Sequence, residues 1–242
     1  MANRVYSNAF FHYTHNFEFV KNILEDGFKV FFCREEVYSS EKRVMHIGIP
    51  VVCFCDLPLS HIAQNNYGQM GIGMSRKWGI AKMLVPVFYY PNNAECFSTK
   101  TILQASKAFL KKRPAAEYRA LGHSKPLYKI QPDKGQSKNN YIEREWRRVF
   151  YSAGVFKWKT EAEYDAYRGD KSTPKTPVGN PITFNVDDVD FIIVPENKKT
   201  ELLDFIMRGL STIGGAPGVA SMSDREVLAS KIVTVEQLAR NV

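Results

Sequence analysis

The sequence has little cysteine, no long apolar run and no N-terminal leader. Four cysteines in 242 residues are too few for a disulfide scaffold. The longest apolar run, residues 47–55, has the length of a strand and falls well short of the roughly 20 residues that span a bilayer. No basic-then-apolar segment opens the chain. We therefore expect a cytoplasmic protein with no membrane partner.

Cysteine and histidine are also too sparse for a metal centre. Cys53 and Cys55 are two residues apart, but no second pair of Cys or His lies at the spacing of zinc ligands. His12 and His15 have no carboxylate at a suitable spacing. We expect no bound metal, and interpret the two cysteines as small buried apolar residues.

The composition indicates a folded protein. Apolar residues make up 44% of the chain and charged residues 24%, which excludes wholesale disorder. The length suits one embellished domain or two small ones. We predict a main domain over residues 1–210, followed by a linker at 211–221 and a small tail ending at residue 242.

A positive surplus is the clearest feature of the charge pattern. The chain has 33 Lys and Arg residues and 25 Asp and Glu residues, a net charge of +8. This favours a polyanionic partner such as RNA. The alternative is that the excess positive charge serves only solubility. A loop over residues 100–140 combines cations with aromatic rings, as single-strand binding sites do; a solvated loop without a ligand is the alternative. Its members are Lys107, Lys111, Lys112, Arg113, Arg119, Lys125, Lys129, Lys134 and Lys138, interleaved with Tyr118, His123 and Tyr128.

Short strands scattered between helices, without regular βαβ alternation, favour the α+β class, with parallel α/β as the alternative. Strands are predicted at 8–15, 28–32, 49–55, 83–90, 141–150 and 191–196. Helices are predicted at 17–26, 56–66, 75–82, 98–112 and 197–210. Loops or turns are predicted at 33–48, 67–73, 125–140 and 168–181.

Two strands carry side chains suited to binding a nucleotide. On the first, His12 and Thr14 project to one face, where an imidazole and a hydroxyl can bind a ribose or an amide. On the strand at 141–150, Glu143, Glu145 and Arg147 share a face, with successive carboxylates roughly 6–7 Å apart. Two such acids repel each other unless a cation, from Arg147 or Arg144, lies between them.

Each segment also has a purely structural interpretation. His12 would be a core histidine beside a helix-capping threonine. The glutamates would lie on a solvated strand face with Trp146 buried behind it. Tyr67, which precedes the glycine-punctuated turn, is either a stacking platform or a packed ring.

Together these segments resemble a known family. The motifs "FHYT" (11–14), "IPVVCFCDLPLS" (49–60), "YGQMGIG" (67–73) and "EREWR" (143–147) are similar to those of AbiGi-like abortive-infection proteins of bacterial phage defence. A "PV-x-Y" strand (86–89) also matches. The same order of His, Tyr and Glu elements resembles ADP-ribosyltransferases of the His-Tyr-Glu type. The resemblance covers about residues 9–150.

The resemblance implies an ADP-ribosyltransferase-like fold of split mixed and antiparallel sheets flanked by helices. It also implies use of NAD+ as substrate: Glu145 would stabilise the cationic sugar, Glu143 would orient the acceptor and Tyr67 would stack on nicotinamide. The remaining cofactor-binding residues would be His12, Tyr13, Thr14, Phe54 and Ser60. Candidates for the pyrophosphate are Arg34, Arg43 and Arg76.

We therefore expect a toxin-type transferase that modifies nucleic acid, with RNA bases as the favoured acceptor, to block translation. The resemblance also implies an antitoxin protein as its partner. Three alternatives stay open at this point. The first is a non-catalytic antitoxin or binding module, and the second is a transferase acting on protein. The third is a nuclease or metal hydrolase using His12, His15, Glu143 and Glu145.

Overall fold

The computed structural model describes residues 7–39, 42–57, 68–91, 128–131, 144–150, 158–169 and 174–239. Contacts between residues divide the chain into two units. The first unit comprises Met1–Lys29, Cys53–Leu84 and Asn180–Val242, and the second comprises Val30–Val52 and Val85–Gly179. The boundary predicted at residue 210 stays a prediction, since a grouping by contacts does not establish independent domains.

The described residues form ten strands and six α-helices. The strands are β1 (Ala9–Thr14), β2 (Phe31–Ser39), β3 (Lys42–Cys55), β4 (Met70–Ser75), β5 (Val85–Pro86), β6 (Phe88–Pro91), β7 (Tyr128–Gln131), β8 (Glu145–Val149), β9 (Val189–Val194) and β10 (Ile232–Thr234). The helices are α1 (Phe17–Asp26), α2 (Arg76–Ala81), α3 (Glu161–Arg168), α4 (Glu196–Asp204), α5 (Met222–Ser230) and α6 (Val235–Ala239). A 3-10 turn (Val186–Asp188) precedes β9, and a π-helical turn (Phe205–Gly209) extends α4.

The sheet of the first unit has the order β10-β9-β4-β1, and the end of β3 follows β1 through the pair Phe11 and Cys55. β1 and β9 both run antiparallel to β4, whereas β10 runs parallel to β9. In the second unit β3 lies between β2 and β8, and β5 pairs with β8 at the edge. Mixed, mainly antiparallel sheets flanked by helices are therefore confirmed.

Local sequence signals determine where helix α1 of the first unit begins and ends. The Asn16 side chain caps its first turn by accepting from the Glu18 amide at 2.9 Å. Its buried face carries Phe17, Val20 and Leu24. Gly27 ends the helix with φ at +80° and ψ at −176°, a conformation that is essentially restricted to glycine. The predicted helix and its glycine stop are confirmed.

The core of the first unit is aromatic. Phe28 lies at its centre, with ring centroids 5.0 Å from Phe54 and 5.6 Å from both Trp78 and Phe184. The indole N–H of Trp78 donates to the Thr183 carbonyl at 3.1 Å, so its polar atom is satisfied. This cluster joins α2 to β3 and to the chain just before β9.

The segment predicted as a linker, 211–221, is bound to the end of α1. The Gly214 amide donates to the Leu24 carbonyl at 2.7 Å, and the Gly215 amide donates to the Glu25 carbonyl at 2.8 Å. Ile213 and Ala220 are buried. These contacts hold the segment against the first unit.

Three loop predictions were wrong. Residues 33–48, predicted as a loop, belong mostly to β2 and β3, which pair from Phe31 with Val51 outward. The turn predicted at 67–73 gives way to β4 at Met70. Within the loop predicted at 125–140, residues Tyr128–Gln131 form β7, which pairs parallel to β6.

Other predicted elements are confirmed in their described parts. Strands appear within 49–55, 141–150 and 191–196, and a helix within 75–82. Pro86 lies on the edge strand β5, as its missing N–H predicts. The helix predicted at 98–112 lies outside the described residues. The helix predicted at 56–66 does so too, except for residues 56 and 57. No helix in the described ranges combines the length and the apolar character needed to cross a bilayer.

Gly27 gives a direct test of this architecture. A Cβ at residue 27 would lie 2.7 Å from the Gly214 carbonyl oxygen and 2.8 Å from that of Ile182. Gly27→Ala should therefore add a backbone clash to the strain of a positive φ, and lower the free energy of unfolding by about 3 kcal/mol. Gly218→Ala is the matched control, since its φ is +120° but its Cβ would meet nothing within 4 Å. It should cost about 1–2 kcal/mol less than Gly27→Ala in urea denaturation, because it adds strain without a clash; equal losses would contradict the packing at Gly27.

Candidate functional site

A buried guanidinium lies between two carboxylates in the second unit. The Arg147 Nη1 and Nη2 atoms donate to the Glu35 carboxylate at 2.9 and 3.0 Å. Its Nε and Nη2 atoms donate to the Glu145 carboxylate at 2.7 and 3.3 Å. Glu35, Glu145 and Arg147 are 6%, 7% and 3% exposed. We call this cluster the Glu–Arg–Glu triad.

Strand alternation places two members of the triad. On β8 the side chains of Glu145, Arg147 and Val149 are buried, whereas those of Trp146 and Arg148 are partly exposed. The predicted common face of Glu145 and Arg147 is thus confirmed, and Arg147, one of the two arginines predicted as the cation, bonds Glu145. Glu35 comes from β2, on the other side of β3. Glu143 lies outside the described residues.

The triad engages both oxygens of the Glu145 carboxylate. A guanidinium has five N–H donors in a fixed fork, and two carboxylates receive four hydrogen bonds from it here. Buried charges persist only when they are paired in this way, because desolvation costs several kcal/mol for each ion. The arrangement fixes the positions of β2 and β8 relative to each other, and leaves Glu145 as an anchored carboxylate with little exposed surface.

The backbone beside Glu145 is strained. Arg144 has a φ of +42°, which is uncommon for a residue other than glycine. Immediately after it, the Glu145 amide donates to the Tyr89 hydroxyl at 2.9 Å and the Glu145 carbonyl accepts from the Val87 amide at 2.9 Å. These bonds hold the start of β8 in place, and strain of this kind is concentrated at functional sites.

His12 lies in the first unit with a structural partner. Its Nδ1 donates to the Cys53 carbonyl at 2.8 Å, because a carbonyl can only accept. Its ring is 5.5 Å from that of Phe28 and 5.7 Å from that of Phe54. Burial lowers the pKa of His12, and the bond to Cys53 opposes that shift. A neutral imidazole in an aromatic setting is the result.

The neighbouring predicted residues also have structural contacts. The Tyr13 ring stacks on Phe11 at 5.6 Å, and burial raises the pKa of its hydroxyl, which is buried and has no hydrogen-bond partner in the described chain. The Thr14 hydroxyl accepts from the Asn16 amide at 3.1 Å. Phe54 is a core ring. Tyr13 and His12 take opposite faces of β1, as alternation predicts.

Two of the three arginines proposed for the pyrophosphate are engaged within the chain. Arg76 donates to the Ser7 carbonyl at 2.8 and 3.0 Å and to the Asp56 carboxylate at 3.1 Å. Arg34 pairs with Glu36 at 2.9 Å on the surface. The Arg43 side chain lies outside what the structure describes.

The predicted NAD+ site as a whole stays a prediction. Ser60, Tyr67 and Glu143 lie outside the described residues. His12 belongs to the first unit and Glu145 to the second. In the described ranges, no three Cys, His, Asp or Glu side chains are grouped so that they could hold a metal ion.

Sequence reasoning missed two buried polar residues in the segment predicted as a loop. Glu35 completes the triad, and His46 lies between two carboxylates of α3, with Nδ1 2.6 Å from Glu161 and Nε2 2.8 Å from Asp165. The available signal was the alternation of apolar residues over 45–51, where Met45, Ile47, Ile49 and Val51 are every second residue, a strand pattern. The charged residues that precede this pattern obscured it.

The chain matches a model of a known protein family. A family model described as "Putative abortive phage resistance protein AbiGi, antitoxin" matches residues 26–195, more than half of the chain. No curated protein and no solved structure matches the chain.

Because Arg147 pairs with two buried carboxylates, substituting it should strongly reduce the stability of the protein. Arg147→Met leaves two carboxylates buried without their cation, and should lower the free energy of unfolding by about 3–5 kcal/mol. Arg148→Met is the matched control, since it removes the same charge one residue along β8, where the guanidinium donates to the Val149 carbonyl. It should cost less than about 1 kcal/mol. Similar losses for both variants in urea denaturation would contradict a structural triad.

His12 predicts a pH dependence of stability. Its folded pKa lies below the unfolded value of 6.5, so the unfolded chain binds more protons in acid. The stability due to neutral His12 is present above pH 6.5 and falls as the pH drops below it, by up to about 1.4 kcal/mol per unit. His12→Asn keeps a donor for the Cys53 carbonyl and does not titrate.

Between about pH 7.5 and about pH 5.5 the unsubstituted protein should therefore lose about 1 kcal/mol more stability than the His12→Asn variant. The measurement is urea denaturation at both pH values. Parallel losses in the two proteins would show that His12 is not held neutral by burial.

Proposed function

The chain belongs to the AbiGi family of abortive phage resistance proteins, and from this premise we propose that it is an antitoxin that acts by binding. Its partner is a toxin protein, and neutralisation occurs through formation of a complex. This function does not require the chain to catalyse a reaction. The description of the family model names an antitoxin, and the motifs at 49–60, 67–73 and 143–147 fall within the matched residues.

The engagement of Glu145 is the observation that carries this proposal. In a transferase this carboxylate would have to receive a ribose hydroxyl and stabilise a cationic sugar. Here both of its oxygens accept from Arg147, and the residue is 7% exposed. The guanidinium already offsets part of the negative charge that would stabilise a cation. A carboxylate in this state is better suited to stabilising the fold than to catalysis.

The setting of His12 supports the same interpretation. A histidine that binds a ribose needs a ring nitrogen directed toward the ligand. The Nδ1 atom of His12 is used by the Cys53 carbonyl, and Phe28 and Phe54 lie against the ring. Only Nε2 is then left for a ligand, and we infer that the "FHYT" motif serves mainly to pack β1 on the aromatic core.

The charge of the chain indicates the chemistry of its partner. A net charge of +8 attracts acidic surfaces, and complementary charge increases the rate of association and the specificity of a complex. We therefore propose a toxin with an acidic binding face. Because the same charge would attract a nucleic acid, retention of RNA is also measured in the experiment on the binding surface below.

ADP-ribosyl transfer is the second candidate, and the strained Arg144 favours it. Strain next to a conspicuous carboxylate is common at reaction centres. In that case the fold would be of the ADP-ribosyltransferase type. Glu145, Glu143, His12 and Tyr67 would act on NAD+, and ADP-ribose would pass to a base of RNA as nicotinamide leaves. Binding of that substrate would require Glu145 to exchange Arg147 for a ribose hydroxyl.

Glu145→Gln separates the two candidates. The substitution leaves Arg147 paired with Glu35, so the protein should still fold. Glu36→Gln is the control, since it removes the same charge from a more exposed position on β2. Each protein is co-expressed with the product of the adjoining gene, after that product has been shown to arrest growth alone. The purified chain is also incubated with labelled NAD+ and RNA, DNA or cell protein.

As an antitoxin, the unsubstituted chain and the Glu145→Gln variant should restore growth equally well at matched soluble levels, and neither should transfer label above background. Transfer of label to RNA or protein that is lost in Glu145→Gln, but kept in Glu36→Gln, would establish the transferase instead. Failure of the unsubstituted chain to restore growth would contradict the antitoxin function.

A further inference from the structure

Helix α2 ends in a motif that usually requires glycine. The Leu84 amide donates to the Gly79 carbonyl at 2.9 Å, and the Met83 amide donates to the Ile80 carbonyl at 3.0 Å. These bonds are the 6→1 and 5→2 pair of a Schellman motif, whose left-handed position is occupied by glycine in most helices. Met83 takes that position with a φ of +57°.

Methionine at this position is unfavourable in the isolated chain. Its Cβ makes the left-handed conformation costly, and it has no short polar side chain to compensate, as Asn or Asp would. Its side chain is also 62% exposed, so burial does not repay the strain. One turn earlier on α2, Ile80 is 71% exposed. These two exposed apolar residues are three positions apart, at the C-terminal end of the helix.

The rest of α2 is firmly fixed. Trp78 and Gly79 are buried, and a Cβ at Gly79 would lie 2.3 Å from the Phe10 ring. The exposed apolar pair is thus presented on a rigid support, which reduces the entropy lost when a partner binds.

The charged residues next to the pair along the chain are positive. Lys77 is exposed and has no hydrogen-bond or ion-pair partner among the residues that the structure describes. Lys82 donates to the Thr183 hydroxyl at 3.4 Å, which leaves its charge without a described carboxylate. The patch formed by Lys77, Ile80, Lys82 and Met83 is therefore apolar with a basic rim. We call it the α2 patch.

We propose that the α2 patch is the surface that docks the toxin partner, through an apolar pocket rimmed by carboxylates. This inference rests on the proposed antitoxin function and assigns its binding surface. Exposed single apolar residues are ordinary on protein surfaces. A strained apolar residue where glycine would be more stable is different, because strain of this kind persists where function requires it.

Two other occupants fit the patch less well. Single-stranded nucleic acid binds through cations together with aromatic rings, and the apolar members here are aliphatic. A second copy of this chain in a two-fold dimer would bring the same lysines together, and like charges disfavour that contact. An acidic, apolar protein surface complements both features.

The test uses Met83→Gly, because it should separate binding from folding. Glycine removes the apolar side chain and relieves the left-handed strain, so the thermal midpoint should stay equal or rise. Binding to the purified product of the adjoining gene should weaken by about tenfold or more in calorimetry or interferometry. Ile80→Ala should weaken binding similarly without raising the midpoint. Met222→Ala is the matched control, since Met222 is 60% exposed on α5 of the same unit, and should change the affinity less than about twofold.

The outcomes distinguish the surface from the function. Unchanged affinity in both Met83→Gly and Ile80→Ala, with tight binding by the unsubstituted chain, would overturn the surface and leave the antitoxin function intact. Absence of binding by the unsubstituted chain would overturn both. A change in self-association or RNA retention in place of toxin binding would show that the patch serves another partner, and would also overturn the proposal.

Discussion

Arg147 is the ion on which the second unit depends. Its guanidinium lies between Glu35 and Glu145, and all three residues are buried. Because Arg147 donates two hydrogen bonds to each carboxylate, β2 and β8 are held on either side of β3 by a buried ionic interaction. Apolar packing alone would allow these strands to slip or exchange partners more easily.

This constraint changes the interpretation of the "EREWR" motif. Two glutamates around an arginine on a strand suggest acid and base chemistry when only the sequence is considered. In the structure it is the second arginine of the motif, Arg147, that joins Glu145 to another acid, Glu35, which lies 112 residues before it in the chain. The motif therefore serves the fold first. In the proposed function, the strained and exposed methionine at the end of α2 would bind a partner with little loss of entropy, because the rest of that helix is packed in place.

Much of the fold could be predicted where the deciding signals are local. Asn16 and Gly27 mark the two ends of α1, and the alternation around Glu145 gives the buried face of β8. The glycine-rich segment misled the prediction for a physical reason. Gly71 and Gly73 lie within β4 because a Cβ at either position would meet the rings of Tyr13 or Phe11 across the strands. Glycine here makes room for aromatic packing and does not form a turn.

The hairpin of β2 and β3 was missed for a related reason. Glu35 and His46 are polar residues at buried positions, and polar side chains indicate a loop until their partners are known. Those partners, Arg147 and the acids of α3, are more than 100 residues away in the sequence. A pattern within a short window contains no information on such pairing. The same limit applies to Met83, whose left-handed conformation follows from the Schellman motif and not from its residue type.

The central claim, that Glu145 is a structural anchor, can be tested on the guanidinium itself. The Nε–H signal of Arg147 in a proton–nitrogen NMR spectrum, assigned by its loss in Arg147→Lys, should be sharp because four hydrogen bonds restrict rotation of the group. If the account is right, its position and width will not change when NAD+ is added at millimolar concentration. A shift or broadening of that signal with saturation would show that Glu145 exchanges its partner for the cofactor, and would contradict the account.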